Sequence, residues 1–245
     1  MRQATVDRVR RIAIAGTLVT FPVLLYLAWF VAPDWSLQSD VSAPLTRKVL
    51  FFHPASAWAS FAAYFVVFAL SIAVLNERKW AYDAPARAAA EAGFALNTVA
   101  LITGTLWGVQ EWREAGSNAL VTVYSEPKVL TVLVLWFVFA AYLVLRRLVD
   151  APERRARLAA VFGVLGFLAV PLSFASSRLL ATSLHPDVAG PGKNPDAAVG
   201  DTVGWILAFS AVAFLLLFVA LWLSRLRLLR AEERIAKLET DLETA

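Results

Sequence analysis

Residues 202–224 read TVGWILAFSAVAFLLLFVALWLS, a run of 23 residues that contains no Asp, Glu, Lys or Arg. The hydrocarbon core of a bilayer is roughly 30 Å thick, and ~20 apolar residues in an α-helix cross it. The run is therefore long enough to span a membrane. A buried helix of a soluble protein is the alternative for any single run of this kind, so the decision rests on whether the pattern recurs.

Five further stretches of the same character precede this one. The sequence predicts six transmembrane helices, at about residues 12–33, 49–76, 87–110, 128–147, 157–177 and 202–225. The first follows several arginines, as a signal peptide would, but its apolar run is too long and no clear small-residue cleavage site follows, so we expect an anchor. The predicted fold is an all-α integral membrane bundle, with a six-span domain at 1–227 and a short amphipathic helix in a cytoplasmic tail at 228–245.

The composition supports this fold and excludes several classes of protein. Of 245 residues, 59% are hydrophobic and only 17% are charged, whereas about a quarter are charged in average soluble domains. The absence of cysteine excludes a disulfide, a thiolate metal site and covalent haem attachment through C-x-x-C-H. Although the net charge is +4, 17 of the 23 Lys and Arg residues fall in the termini and in the second and fourth connectors. Basic loops face the cytoplasm, so the charge predicts cytoplasmic termini in a cell (inner) membrane rather than nucleic-acid binding.

Both histidines of the chain are predicted on the extracytoplasmic face. His53 lies near the outer end of the second span, and His185 lies in the third outer connector. Imidazole is a common metal ligand and an axial ligand of haem iron. A histidine that only forms a hydrogen bond at the interface is the alternative, and the residues themselves leave the two interpretations evenly balanced.

Tryptophan is also concentrated towards the outer boundary. Six of the nine tryptophans fall there, namely Trp29, Trp35, Trp58, Trp107, Trp112 and Trp205. An aromatic belt would enrich both interfaces, so the bias indicates an outward aromatic surface that suits a flat hydrophobic macrocycle. The small and hydroxylated residues of the third span favour helix packing, and Pro171 is expected to bend the fifth span.

Three motifs resemble a known family. The run ALITGTLWGVQEW at 100–112 resembles the end of the third span and the start of the tryptophan-rich (WWD) loop of CcmC-type cytochrome c maturation proteins. FHPASAW at 52–58 resembles the family's I-H-V-P-S-A-W, with the proline one place earlier, and TSLHP at 182–186 resembles its T-L-H. The resemblance covers the second to the sixth span.

The resemblance implies a haem-binding relay protein rather than an enzyme. His53 and His185 would be the axial ligands of a b-type haem iron, held noncovalently on the extracytoplasmic face and passed to an acceptor haem chaperone. Other cytochrome c maturation subunits would be partners, including an ABC-type ATPase, because this chain has no Walker motif. The implied cofactor-binding residues are His53, His185, Trp58, Trp107, Trp112, Tyr124, Glu126 and Lys128.

The second outer loop departs from the family pattern. After Trp112 the central tryptophans are missing and the segment is several residues longer, while Glu126 and Lys128 stand where the family has its acidic-x-basic group. The alternative is therefore a permease or scaffold subunit of the same type of complex that has lost haem binding. A small-molecule transporter would need polar residues around a midplane cavity, and the spans contain too few.

The tail carries a short apolar seam. Its members are Leu228, Ala231, Ile235, Leu238 and Leu242. About two heptads are too short to predict a coiled coil. The seam is compatible with an extension of the sixth helix against cytoplasmic partners and equally with a solvated tail.

Overall fold

The computed structural model describes residues 3–33, 48–77, 80–112, 118–179, 183–185 and 201–243, and within them all regular structure is helical. The helices are α1 (Gln3–Tyr26, continuing as a π-helical turn at Leu27–Val31), α2 (His53–Glu77), α3 (Asp83–Glu111, after a 3-10 turn at Trp80–Tyr82), α4 (Ala119–Ser125), α5 (Pro127–Leu148), α6 (Pro152–Phe167), α7 (Ala169–Leu179) and α8 (Asp201–Glu243).

Within these ranges, six helical segments are long and apolar enough to cross a membrane, which confirms the predicted fold class. They are Gln3–Val31, His53–Asn76, Trp80–Glu111, Pro127–Leu148, Pro152–Ser176 and Asp201–Glu243. Several of them extend beyond the predicted limits because a charged residue ends an apolar run without ending a helix. Between the third and fourth spans the described residues also form α4, a short helix.

Helix α2 forms the centre of the bundle, with α3, α6 and α8 packed around it. The contact with α3 is close because it uses small side chains. A Cβ atom at Gly93 would lie 2.8 Å from the Cβ of Ala63 and 3.0 Å from the Tyr64 ring. Without hydrophobic force between helices in lipid, such close packing is a main source of association. On the far side of Tyr64, its ring stacks on Phe139 of α5 at 3.6 Å between centroids.

The polar side chains of the third span take part in helix packing, as expected. The Asn97 side-chain amide donates a hydrogen bond to the Tyr64 hydroxyl at 3.4 Å. The Trp136 indole N–H of α5 donates to the Thr98 hydroxyl at 2.9 Å. These bonds connect α3 to α2 and to α5 in a region where an unpaired polar group would be costly.

The fifth span is divided at Leu168, between α6 and α7. Pro171 has no N–H with which to bond the carbonyl of Phe167, four residues earlier, so the helix cannot continue regularly there. The expected bend is therefore present. It directs α7 along α5, towards the start of α2 and the end of α3.

Helix α8 continues without interruption from the sixth span into the tail. Leu228, Ile235 and Leu238 of the apolar seam are all more than half exposed. The tail is thus an extension of the sixth helix, with its apolar seam exposed.

Candidate functional site

His53 is the first residue of α2, and α3 determines how its ring is held. Its Nδ1 lies 2.9 Å from the carbonyl oxygen of Ala100. Because a carbonyl oxygen only accepts hydrogen bonds, this contact places the proton on Nδ1 and leaves the Nε2 lone pair available. A carbonyl that fixes the tautomer in this way is the usual second contact of a metal-binding histidine.

Gly104 makes room for that ring. A Cβ atom at this position would lie 2.6 Å from the His53 Cε1 and 3.0 Å from its Nδ1. No alanine could therefore occupy position 104 unless the imidazole moved. The sequence pattern had pointed to Gly104 only as a helix-packing residue, and its role beside His53 depends on a contact across 51 positions of sequence.

The segment 183–185 is held by Glu126, which lies between α4 and α5 and is buried. The Ser183 hydroxyl donates to one carboxylate oxygen of Glu126, and the Leu184 amide donates to the other at 2.9 Å. The His185 amide in turn donates to the Ser183 hydroxyl at 3.3 Å. The two hydrogen bonds to this carboxylate fix the position of the segment that carries His185.

The contacts of His53 with α3 and of residues 183–185 with Glu126 bring the two histidines together. The His53 and His185 rings lie 6.2 Å apart between centroids, with 44° between their planes. Since the two positions are 132 apart in the sequence, the proximity results from the bundle and from the Glu126 contact. His53 belongs to a helix, and His185 follows the end of the fifth span.

Two tryptophans form an aromatic wall beside His185. The ring centroids of Trp107 and Trp112 lie 6.4 Å and 6.1 Å from that of His185. The two indoles contact each other edge to face at 5.4 Å, and both are buried. Gly108 brings them close to α4, because a Cβ there would lie 3.0 Å from both Trp112 and Val123.

One groove contains most of the predicted site. It encloses about 700 Å³ including its open side, and its walls are mainly apolar. Six of the eight predicted residues line it, namely His53, Trp58, Trp107, Trp112, Lys128 and His185. The Lys128 ammonium is the cationic group of the lining, and it lies 6.0 Å from the centre of the Phe174 ring.

The other two predicted residues stand beside the groove. The Tyr124 hydroxyl is hydrogen-bonded to the Thr105 hydroxyl at 3.1 Å, and Thr105 is the one that lines the groove. The Glu126 carboxylate is directed to Ser183 and Leu184 rather than into the groove. Sequence analysis also missed Phe61 and Phe174, whose apolar spacing within the spans did not distinguish lining residues from packing residues.

Known proteins similar to this chain confirm the resemblance seen in its motifs. Residues 2–241 match the CcmC family model, described as heme exporter protein C. The heme exporter protein C of Bradyrhizobium diazoefficiens is 32% identical over 217 residues, which cover 87% of this chain and 75% of that protein. The heme exporter protein C of Paracoccus denitrificans is 27% identical, covering 86% and 83%, and that of Rhodobacter capsulatus is 25% identical, covering 92% and 88%. The chain therefore belongs to the CcmC, or heme exporter protein C, family.

Proposed function

We propose that this chain is the haem-binding membrane subunit of a cytochrome c maturation system, with His53 and His185 as the axial ligands of the haem iron. The observation that carries the proposal is the 6.2 Å separation of the two imidazoles. Two iron–nitrogen bonds of about 2 Å, plus about 1 Å from each nitrogen to its ring centre, would separate the centroids by roughly 6 Å. The observed spacing agrees with this value.

The donor set around the histidines favours haem over a bare metal ion. Within the described part of the chain, no group of three or more His, Cys, Asp or Glu residues could hold a metal. Two imidazoles alone would leave most coordination positions of an ion unfilled. A porphyrin brings four nitrogen ligands of its own, so two axial histidines complete its iron. With no cysteine in the chain, the binding would be noncovalent, as in b-type haem proteins.

The groove walls suit the remainder of the macrocycle. Trp58, Trp107 and Trp112 offer indole faces and edges to an apolar ring system. Lys128 would place a cation near the groove, where a propionate at the porphyrin edge carries negative charge. Tyr124 stays a predicted contributor through its bond to Thr105, whereas we assign Glu126 a supporting role through the His185 segment.

The position of the groove supports a relay role outside the cytoplasm. It lies at the bundle end where α2 and α5 begin and α3 ends. The basic residues are concentrated towards the opposite end, which positive-inside bias assigns to the cytoplasm of a cell (inner) membrane. The open side allows haem to be passed to an extracytoplasmic acceptor chaperone. An ABC-type ATPase among the other maturation subunits would supply any ATP hydrolysis.

Haem titration of the purified full-length chain tests the proposal. Wild type should give a low-spin bis-imidazole spectrum, and His53→Ala and His185→Ala should each abolish that spectrum. A wild-type protein that is folded and yet gives no such spectrum would refute haem ligation. That outcome would leave the permease or scaffold alternative, which the loss of the central loop tryptophans favours.

A further inference from the structure

A polar cavity lies at the other end of the bundle, between α3, α5 and α8. It contains about 470 Å³ of space including its open mouth. Its lining residues are Arg87, Glu91, Leu143, Arg146, Arg147 and Arg225. Nothing in the proposed haem site makes use of this cavity, and four arginines around one space require an explanation.

Three carboxylates neutralise part of this charge. Asp83 receives two hydrogen bonds from the Arg146 guanidinium, at 2.7 Å and 2.6 Å. Glu91 is shared between Arg87, at 2.8 Å, and Arg225. Arg225 also contacts Glu232 at 3.0 Å. These pairs connect the three helices and hold the guanidinium groups in fixed positions.

One positive charge of the cluster is left over. Arg147 lies on the exposed side of α5 and forms no ion pair with any residue in the described ranges. In addition, the Arg146 side chain is only 5% exposed, and its buried Nε has no hydrogen-bond partner among the described residues. The lining thus includes an uncompensated cation, Arg147, next to an Arg146 guanidinium whose buried Nε has no partner.

We infer that this cavity binds the phosphate group of an anionic phospholipid. A phosphodiester carries one negative charge, which matches the one excess positive charge, and its oxygens accept hydrogen bonds from several guanidinium groups. Arg146 and Arg147 occupy the last turn of α5, and Arg225 directly follows the 23-residue apolar run of α8. The cavity therefore lies at headgroup depth, where basic pockets between transmembrane helices bind anionic lipids.

The wall of the cavity supports a lipid rather than a free anion. Leu143 lies one turn closer to the membrane centre than Arg147 and also lines the cavity. A lipid would place its glycerol and acyl chains along such a surface while its phosphate remained among the arginines. A zwitterionic lipid would fit less well, because its ammonium group would add a cation to a cluster that already has an excess of positive charge.

Native mass spectrometry of the delipidated full-length protein tests this inference. The probes are phosphatidylglycerol and phosphatidylcholine with identical acyl chains. We expect selective retention of phosphatidylglycerol, and a loss of about fivefold in its affinity in Arg147→Gln, since one arginine at a membrane surface contributes about that factor. Arg154→Gln is the matched control, because Arg154 is an exposed arginine near the start of α6 that does not line the cavity.

Three results would overturn the inference. Equal retention of the two lipids, or equal losses in Arg147→Gln and Arg154→Gln, would show that only general surface charge is involved. Displacement of phosphatidylglycerol by millimolar inorganic phosphate would assign the cavity to a free anion instead of a lipid. Haem binding enters none of these measurements, so they stand independently of the proposed function.

Discussion

Replacing Gly104 with alanine should weaken haem binding while leaving both proposed ligands in place. The new Cβ would lie 2.6 Å from the His53 Cε1, so the ring would have to move by nearly an ångström to reach ordinary van der Waals distance. That movement would lengthen or break the 2.9 Å bond between Nδ1 and the Ala100 carbonyl. The imidazole would then lose its fixed orientation towards the groove.

The size of the effect follows from this lost support. Removing an outer-shell partner of a metal-binding histidine typically lowers affinity by about 10- to 100-fold. The corresponding change in binding free energy is about 1.4–2.7 kcal/mol. The protein should remain folded, because the displaced group is the side chain at the start of a helix next to an open groove.

Haem titration of purified Gly104→Ala, followed by absorbance, measures the change directly. Gly204→Ala is the matched control, since a Cβ at Gly204 would meet no atom within 4 Å. The control should retain wild-type haem affinity. If Gly104→Ala bound haem with the affinity and the bis-imidazole spectrum of Gly204→Ala, the proposed orientation of His53 would be wrong.

Three further substitutions test other contacts. Glu126→Gln should lower haem affinity about tenfold or more in the same titration. The hydrogen bonds to the Glu126 carboxylate hold the segment of His185, and hydrogen bonds to a charged group contribute about 1.5–3 kcal/mol. Wild-type affinity in this variant would contradict the supporting role of Glu126. Asp83→Asn should lower the midpoint of thermal unfolding in detergent, because it leaves the buried Arg146 without its carboxylate at a cost of about 3–5 kcal/mol. An unchanged midpoint would argue against the Asp83–Arg146 pair as a stabilising contact. Gly93→Ala should also lower this midpoint, because overpacking the contact between α2 and α3 destabilises the protein by about 1–3 kcal/mol. A stabilised variant would show that the helices can separate freely.

The spans could be predicted from the sequence because each depends on local composition. A bilayer imposes one length requirement on every crossing helix, and an uncharged run meets or fails it without reference to the rest of the chain. The break near Pro171 could be predicted for a similar reason, since the missing N–H removes only the hydrogen bond to the carbonyl four positions earlier.

The contacts that hold the two histidines in place could not be predicted from local sequence. Glu126 was predicted as a cofactor-binding residue because it stands where the family has an acidic group. Its carboxylate contacts Ser183 and Leu184, 57 and 58 positions later. Gly104 likewise makes its decisive contact with His53. Neither contact leaves a local periodicity, so a single sequence contains no signal that would identify it.

Helix α8 has a mechanical consequence beyond its role as the sixth span. At 1.5 Å per residue, its 43 residues form a rod about 65 Å long, roughly twice the thickness of the hydrocarbon core. Within α8 there is no proline, so the orientation of the half that extends beyond the bundle is set by the tilt of the half inside the bilayer. Any protein that holds residues 231–243 would therefore act on the bundle through a stiff lever rather than through a flexible tether.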